Sequence, residues 1–457
     1  MVNIIVEVSK YLMILMIIIY TYQCFTVFGY QDEQKKKGIL LRQNGLMFFI
    51  HFISFVILYC KTGQMKMILF YVAQAILLLA IILLYRLIYP KISKLVVNNM
   101  CMLLAIGFIM ITRLSYDKAV KQFIIVAGAV SASLVIPVII LKVKKLSEFG
   151  RLYAIAGIVS LAVVVIVGQV SYGAKLAFSI GGFSIQPSEL VKILFVFYVA
   201  ASFNKSIEFK NIVKTTIVAA LHVMILVISK DLGAALIIFM VYMVMLYVAS
   251  KQPLYMVAGF GGGSVAAIGA YYLFGHVRNR VIAWKDPIAS YDGAGYQVAQ
   301  SLFAIGTGGW FGMGLCQGAP NTIPVADEDF IFSAIAEELG LIFALCLILI
   351  CLSCYIMFLN IAMQLHDRFY KLVALGLGTC YIFQVFLTIG GVTKFIPSTG
   401  VTLPLVSYGG SSVLSTLIMF AVIQGLYILR EDEEEIIERK KAEELRAERR
   451  RVQRKKR

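Results

Sequence analysis

Charge is scarce in this chain of 457 residues. Only 15% are Asp, Glu, Lys or Arg, against 60% hydrophobic, and the mean hydropathy is +0.86. A soluble protein of this length cannot bury so much apolar surface, so the shortage of charge excludes a soluble class and leaves a polytopic membrane protein. Strict apolar–polar alternation is also missing. The apolar runs are continuous and about 20 residues long, which excludes a closed β-barrel and indicates an all-α bundle. Tryptophan is nearly absent, and both copies, Trp284 and Trp310, fall in one stretch. Histidine is also sparse, with four in the chain. The Cys351–Cys354 CxxC therefore lies mid-span without histidine neighbours, and the eight cysteines read as apolar packing residues rather than a metal or redox centre. No cleavable signal is evident, because the first apolar run, from Tyr11 to Tyr30, is long enough to remain as a span. No inverted repeat marks an ion-coupled transporter.

About thirteen spans are predicted. Three come first, near 11–29, 46–60 and 67–88. Ten follow, near 99–112, 122–141, 152–170, 189–203, 211–229, 232–249, 254–274, 333–360, 370–390 and 405–428. The chain divides into an N-terminal group of spans (1–95), a core (96–428) with a long loop at 275–330, and a charged tail (429–457). The tail holds 12 Lys/Arg against 9 Asp/Glu, so only about +3 of the net +17 resides there. The remainder sits in short loops, which suits anionic lipid and an anionic substrate and does not suggest nucleic acid. Acids precede bases in the tail, the favourable order for a helix. Lys35, Lys36, Lys37 and Arg42, then Arg86, Lys91 and Lys94, then Lys142, Lys144, Lys145 and Arg151 follow odd-numbered spans, which places those loops and the tail in the cytoplasm. The loops at 171–188, 275–330 and 391–404 then face outward, although Arg113, Lys118 and Lys121 make one outward loop basic too.

The stretch from Tyr271 to Gly340 is the longest that does not read as a span. Its aromatics, glycines and isolated charges argue for an ordered functional loop. Four polar motifs meet at the outward ends of spans, where polar groups are expensive and usually mark a site. In Gln186–Lys192, Pro187 opens a helix, Ser188 can cap it, and Glu189 can pair with Lys192 one turn on; a capped span with an internal ion pair accounts for the motif equally well. In Lys230–Gly233, Asp231 either caps the next helix or lines a cavity. Asp327–Gly340 places Asp329, Ser333 and Glu337 at i, i+4 and i+8, a polar stripe if the helix includes all three; Asp327 and Glu328 read as a solvated acidic turn. Desolvation of Asp329 would raise its pKa toward that of a general base near neutral pH. In Lys394–Ser412, Pro397, Pro404 and Gly400 predict an ordered re-entrant turn. The small residues from Ser407 to Ser412, Gly409 and Gly410 among them, allow close packing or break the helix.

These motifs, in this order, resemble the SEDS family (FtsW, RodA and SpoVE) over roughly residues 99–428. The pieces that carry the resemblance are QPSE at Gln186–Glu189, DLG at Asp231–Gly233, GYQ at Gly295–Gln297, the Asp329–Gly340 segment and TLPLVSYGGSS at Thr402–Ser412. The resemblance implies a ten-span bundle, to which the first three spans are an addition. It implies an outward-facing glycosyltransferase that polymerises lipid II beside a class B penicillin-binding protein, with Asp329 at the family's catalytic acid position. For that reaction the residues themselves suggest substrate contacts among Arg278, Arg280, Lys394, Lys175, Glu189, Lys192, Gln297, Glu337, Ser407 and Ser411, the basic ones to stabilise a departing pyrophosphate, with structural roles for Pro187, Asp231, Pro404, Gly409 and Gly410. A divalent cation (Mg or Mn) could share the leaving-group charge. The sequence departs from the family pattern in three places: Lys230 stands where proline is common, Asp327-Glu328 where His-Thr is common, and no tryptophan follows Gly173-Ala174. A lipid II flippase and a non-catalytic scaffold for a transpeptidase remain as alternative readings.

Overall fold

The computed structural model describes residues 2–455 apart from positions 31, 144, 172, 173, 181 and 182; side chains are further undescribed at 167, 169–171, 174–176, 179, 180, 183 and 445–455. Among the described residues, twelve helical stretches are long and apolar enough to cross a membrane. The remaining predicted span, 189–203, is also a helix, but it carries Glu189, Lys192 and Lys205 and falls outside that set. The chain is thus a multi-pass helical membrane protein, as its apolar runs require.

The helices are α1 (Val2–Thr26), α2 (Glu33–Thr62), α3 (Lys66–Ile88), α4 (Lys94–Leu114), α5 (Tyr116–Ser133) and its continuation α6 (Ile136–Lys142), α7 (Gly150–Val167), α8 (Pro187–Lys205), α9 (Phe209–Ile228), α10 (Leu232–Ser250), α11 (Pro253–Leu273), α12 (Gly275–Lys285), α13 (Tyr296–Gly308), α14 (Ile331–Gln364), α15 (Arg368–Val392) and α16 (Gly410–Lys455). Three short antiparallel strands, β1 (Gln169–Ser171), β2 (Ala174–Ile180) and β3 (Phe183–Ile185), join α7 to α8. They are an addition to the all-helical expectation. Beyond the hydrophobic run of α7, these residues alternate over a few positions, and backbone pairing satisfies their polar groups.

The apolar stretch of helix α4 lies inside the protein, packed by α2 and α3 on one side and by α5, α14 and α16 on others. The three N-terminal helices are therefore part of one bundle with the rest. Polar bonds cross this seam. Asn99 Oδ1 accepts from Tyr20 Oη at 3.1 Å and from Cys24 Sγ at 3.2 Å, while its Nδ2 donates to Ser353 Oγ at 3.3 Å. Asn98 Nδ2 donates to the Leu40 carbonyl and to Gln43 Oε1.

Contacts sort the connections into two ends. At one end Arg113 meets Glu338, Gln186 meets Ser411, and Trp284 Nε1 donates to the Lys394 carbonyl. The start of α1 is there too, with Asn3 bonded by Lys61 and Gln317. At the other end Lys91 pairs with Asp432 and Glu435, and the backbone of His366 donates to Glu433. The tail continues α16 without interruption through Lys455.

Helix α14 is broken at Gly340, where φ is +90° and ψ is +164°. The loop after α13 fills the break. Met313 and Gly314 donate to the carbonyls of Glu337 and Glu338, and Leu341 and Ile342 donate to the carbonyls of Gly309 and Trp310. Backbone groups freed by the kink are satisfied by protein rather than lipid. The swap also pins the long loop onto the bundle, as the sequence reading of an ordered loop expects.

Candidate active site

The site is built where four chain segments converge. Pro187 opens α8 at its first turn, where its missing N–H costs nothing. Ser188 does not cap that helix. It sits one residue inside, and its hydroxyl donates to Asp231 Oδ2 at 2.8 Å. Asp231 performs both of the tasks its position suggested. Oδ1 accepts from the Ala234 backbone as the cap of α10, and Oδ2 gathers Ser188 and Gln186.

One turn along α8, Glu189 and Lys192 form the expected pair at 3.0 Å, buried at 8% and 2% exposure. Two residues not singled out in the sequence complete it. Gln384 Oε1 accepts from Lys192 Nζ at 2.8 Å, and Ser415 donates to Glu189 Oε2 at 2.8 Å. Gln384 also donates to the Thr402 carbonyl and to Ser412 Oγ, tying α15 to the re-entrant turn and α16. A glutamine and a serine inside apolar helices were readable as expensive buried polar groups, but their partners lie hundreds of residues away.

Of these groups Gln186, Glu189, Lys192, Asp231 and Ser412 line a cavity of about 310 Å³, together with Gly400, Thr402, Tyr408 and Ser411. The re-entrant turn is present as expected, held by Thr388 on the Val401 carbonyl. Pro404 is buried in its descending limb. Helix α16 begins at Gly410, where a side chain would press on Ile125.

Asp329 stands beside this cavity. Gly400, on the cavity wall, has φ of +72°, and a Cβ placed there would lie 3.4 Å from Asp329 Oδ2 and 3.3 Å from Arg280 Nη2. Arg280 is fixed by donating to the Ser398 carbonyl at 2.9 Å. Loss of water pushes the Asp329 carboxyl up to about 6; neighbouring Glu328 adds to the rise, Arg280 opposes it, and Asp327 adds a little more. Burial lowers Arg280 from its ordinary value, while Asp329 and Asp231 hold it up. Nearby His276 is lowered by burial and by the cations Arg280 and Lys230.

The expected stripe and the solvated Asp327 need correction, and the remaining expected residues lie at differing places around the cavity. Helix α14 starts at Ile331, so Asp329 precedes the helix and shares no stripe with Ser333 and Glu337. Ser333 is engaged with Ser301 inside the protein. Glu337 Oε1 accepts from the Ala319 backbone, away from the cavity wall. Asp327 is not solvated: it is 8% exposed and pairs with Lys118 at 2.6 Å. Arg278 is exposed and donates to the Tyr272 carbonyl, and Gln297 is exposed on α13. Lys394 lies in the turn after α15 with φ of +60°, and it does not line the cavity. Ser407 is committed to structure, accepting from the Leu403 backbone and donating to the Glu328 carbonyl. Ser411 does line the cavity, bonded by the Gln186 backbone. Lys175 lies on β2, outside the residues whose side chains are described.

Among the described residues no three His, Cys, Asp or Glu side chains converge on one point. Asp327 and Glu328 are both turned to Lys118.

Comparisons with known proteins place the chain in a family. The model of the FtsW, RodA and SpoVE cell cycle proteins matches residues 93–431. The peptidoglycan glycosyltransferase RodA of Mycobacterium tuberculosis is 34% identical over 363 residues, covering 73% of this chain and 77% of that protein. A probable peptidoglycan glycosyltransferase FtsW of Saccharophagus degradans is 31% identical, covering 74% and 93%. A chain of a peptidoglycan synthase complex that coordinates polymerization and crosslinking shares the fold, with a TM-score of 0.64 at 22% identity over 74% of this chain and 98% of that one. The rod shape determining protein RodA of Thermus thermophilus has a TM-score of 0.57 at 21% identity, covering 74% and 97%. Residues 1–92 lie outside the family match.

Proposed function

The chain belongs to the FtsW, RodA and SpoVE family of cell cycle proteins, and on that premise we propose that it is a peptidoglycan glycosyltransferase. It polymerises lipid II at the outer face of the cytoplasmic membrane, alongside a class B penicillin-binding protein that crosslinks the strands. The observation that carries this reading is the half-buried Asp329 carboxylate, which with Arg280 approaches Gly400 on the wall of a polar cavity.

Sidedness is supported by charge. The basic connections that hold Lys35, Lys36, Lys37, Arg86, Lys91 and Lys142 lie at the end opposite the cavity, with the tail. Basic loops stay in the cytoplasm, so the cavity opens outward.

In the reaction, the 4-hydroxyl oxygen of the acceptor GlcNAc attacks C1 of the donor sugar from the face opposite its pyrophosphate. The C1–oxygen bond to the lipid pyrophosphate breaks with its electron pair, and the hydroxyl proton passes to Asp329. Inversion at C1 converts an α-linked donor to a β-linked product. A positioned base contributes ~10²–10⁴ in rate. Arg280 stabilises the negative charge that accumulates on the departing pyrophosphate. The buried Glu189–Lys192–Gln384 cluster keeps the cavity floor polar and rigid. Any divalent cation would arrive with the pyrophosphate rather than be held by a protein cage.

The test is Asp329→Asn in the purified chain with its transpeptidase partner, assayed on lipid II in detergent. Polymerisation should fall by ~10²–10⁴. Near wild-type polymerisation by the variant would remove Asp329 as the base. Because micelles present no barrier, strand formation by the wild type also separates an enzyme from a flippase or a scaffold.

A further inference from the structure

The N-terminal helices carry a second built recess, far from the chemistry and outside the family match. It is an open crevice of about 470 Å³ between α1 and α2, lined by Met16, Ile19, Gln23, Arg42, Gly45, Leu46 and Phe49. Its polarity is graded. Arg42 and Gln23 lie toward the α1–α2 connection, whereas Met16 and Phe49 lie deeper along the helices. Arg42 and Phe49 are seven residues apart on α2, a rise of about 10 Å.

The polar end has unspent bonding capacity. Gln23 is 9% exposed, yet its Oε1 has no hydrogen-bond partner. A buried acceptor left unmatched in this way costs free energy unless a ligand supplies a donor. Among the described residues Arg42 makes no salt bridge; Nε makes one long bond of 3.4 Å to the Gly38 carbonyl in its own helix. Lys35 and Lys37 lie within two turns of it and add to the local positive charge. Gly38 and Gly45, which flank Arg42 on α2, have open space where a side chain would be.

We propose that this crevice binds an anionic glycerophospholipid with a hydroxyl-bearing headgroup. The phosphate oxygens accept from the Arg42 guanidinium, a headgroup hydroxyl donates to Gln23 Oε1, and one acyl chain lies along Ile19, Leu46 and Phe49. The chemistry matches group for group: a cation for the phosphate, an acceptor for the hydroxyl, and an apolar wall for the chain. A phosphocholine headgroup offers no hydroxyl and carries no net charge, so it satisfies neither polar partner as well.

The experiment uses full-length protein in detergent and two photoreactive probes, phosphatidylglycerol and phosphatidylcholine, each with a diazirine on one acyl chain. Labelled peptides are mapped after irradiation. Phosphatidylglycerol should label the peptides holding Ile19 and Phe49, and phosphatidylcholine should do so several-fold less. Arg42→Ala should reduce phosphatidylglycerol labelling about fivefold. Gly45→Leu should abolish it by filling the crevice. Both variants should retain lipid II polymerisation, which certifies their fold and separates this site from the catalytic reading. Equal labelling by the two probes, labelling only elsewhere, or labelling unchanged in both variants overturns the proposal.

Discussion

Lys118 Nζ lies 2.6 Å from Asp327 Oδ2, joining the start of α5 to the segment that carries Asp329. The same ammonium is 3.4 Å from Glu328 Oε1 and 5.2 Å from the centre of the Tyr408 ring, while the Tyr408 backbone donates to the Asp327 carbonyl. One cation thus holds two acids and the re-entrant turn together beside the catalytic candidate. Lys118→Ala leaves Asp327 buried without its counter-charge. We expect a loss of about 1–3 kcal/mol, read as a lower melting temperature in detergent. Adding Asp327→Asn to that variant should recover part of the loss.

The pH dependence of polymerisation follows from the raised Asp329. A general base works only when deprotonated, so the rate should rise with pH through about 6. Glu328→Gln removes a negative neighbour that raises this carboxyl, so the acid limb should move to lower pH. Arg280→Gln removes the positive neighbour that lowers it, so the limb should move to higher pH, and the apparent KM for lipid II should rise as well. Rate profiles from pH 5 to 8 check both directions.

The same shift bears on stability. Between the ordinary aspartate value of 3.8 and about 6, the folded protein holds a proton at Asp329 that the unfolded chain has released. Stability from this group therefore falls as pH rises through that window, and the cost persists above it. Asp329→Asn removes the cost. The inactive variant should melt higher than the wild type at pH 7.5, with the difference vanishing as pH approaches 4.

Gly400 is where geometry and chemistry meet. At φ of +72°, an alanine would carry about 1–2 kcal/mol of backbone strain. Its methyl would also crowd both Asp329 and Arg280, at 3.4 and 3.3 Å. Gly400→Ala should lower kcat far more than that strain lowers stability. Comparing single-turnover rates with melting temperatures distinguishes the two effects.

How much of this was legible in the sequence depends on the range of the interaction. The predicted spans were readable because lipid forces each apolar run to satisfy its own backbone, and each falls mainly on helix, although 152–170 runs on into β1 and 405–428 starts five residues before α16. The Glu189–Lys192 pair was readable because its members lie one helical turn apart. The Asp329–Ser333–Glu337 stripe failed because periodicity assumes a helix, and the helix begins two residues after Asp329. Ser188 was expected as a cap and instead serves Asp231, 43 positions away. Gln384, Ser415 and Lys118 carry no local pattern, and their roles appear only when distant segments meet.

The N-terminal helices yield the last prediction. Removing residues 1–92 would expose α4 to lipid, and its apolar side chains would lose little there, because acyl chains are as apolar as the helices removed. The cost falls on Asn98 and Asn99. Asn98 would lose the Leu40 carbonyl, Gln43 and Arg86, and Asn99 would lose Tyr20 and Cys24, keeping only Ser353. At roughly 0.6–2 kcal/mol per interhelical bond in a membrane, the truncated chain should be several kcal/mol less stable. Introducing Asn98→Leu and Asn99→Leu into it should restore much of that loss. Melting temperatures of full-length, truncated and truncated double-leucine proteins decide the matter: no gain from the leucines would mean that the N-terminal helices stabilise the core by some means other than these hydrogen bonds.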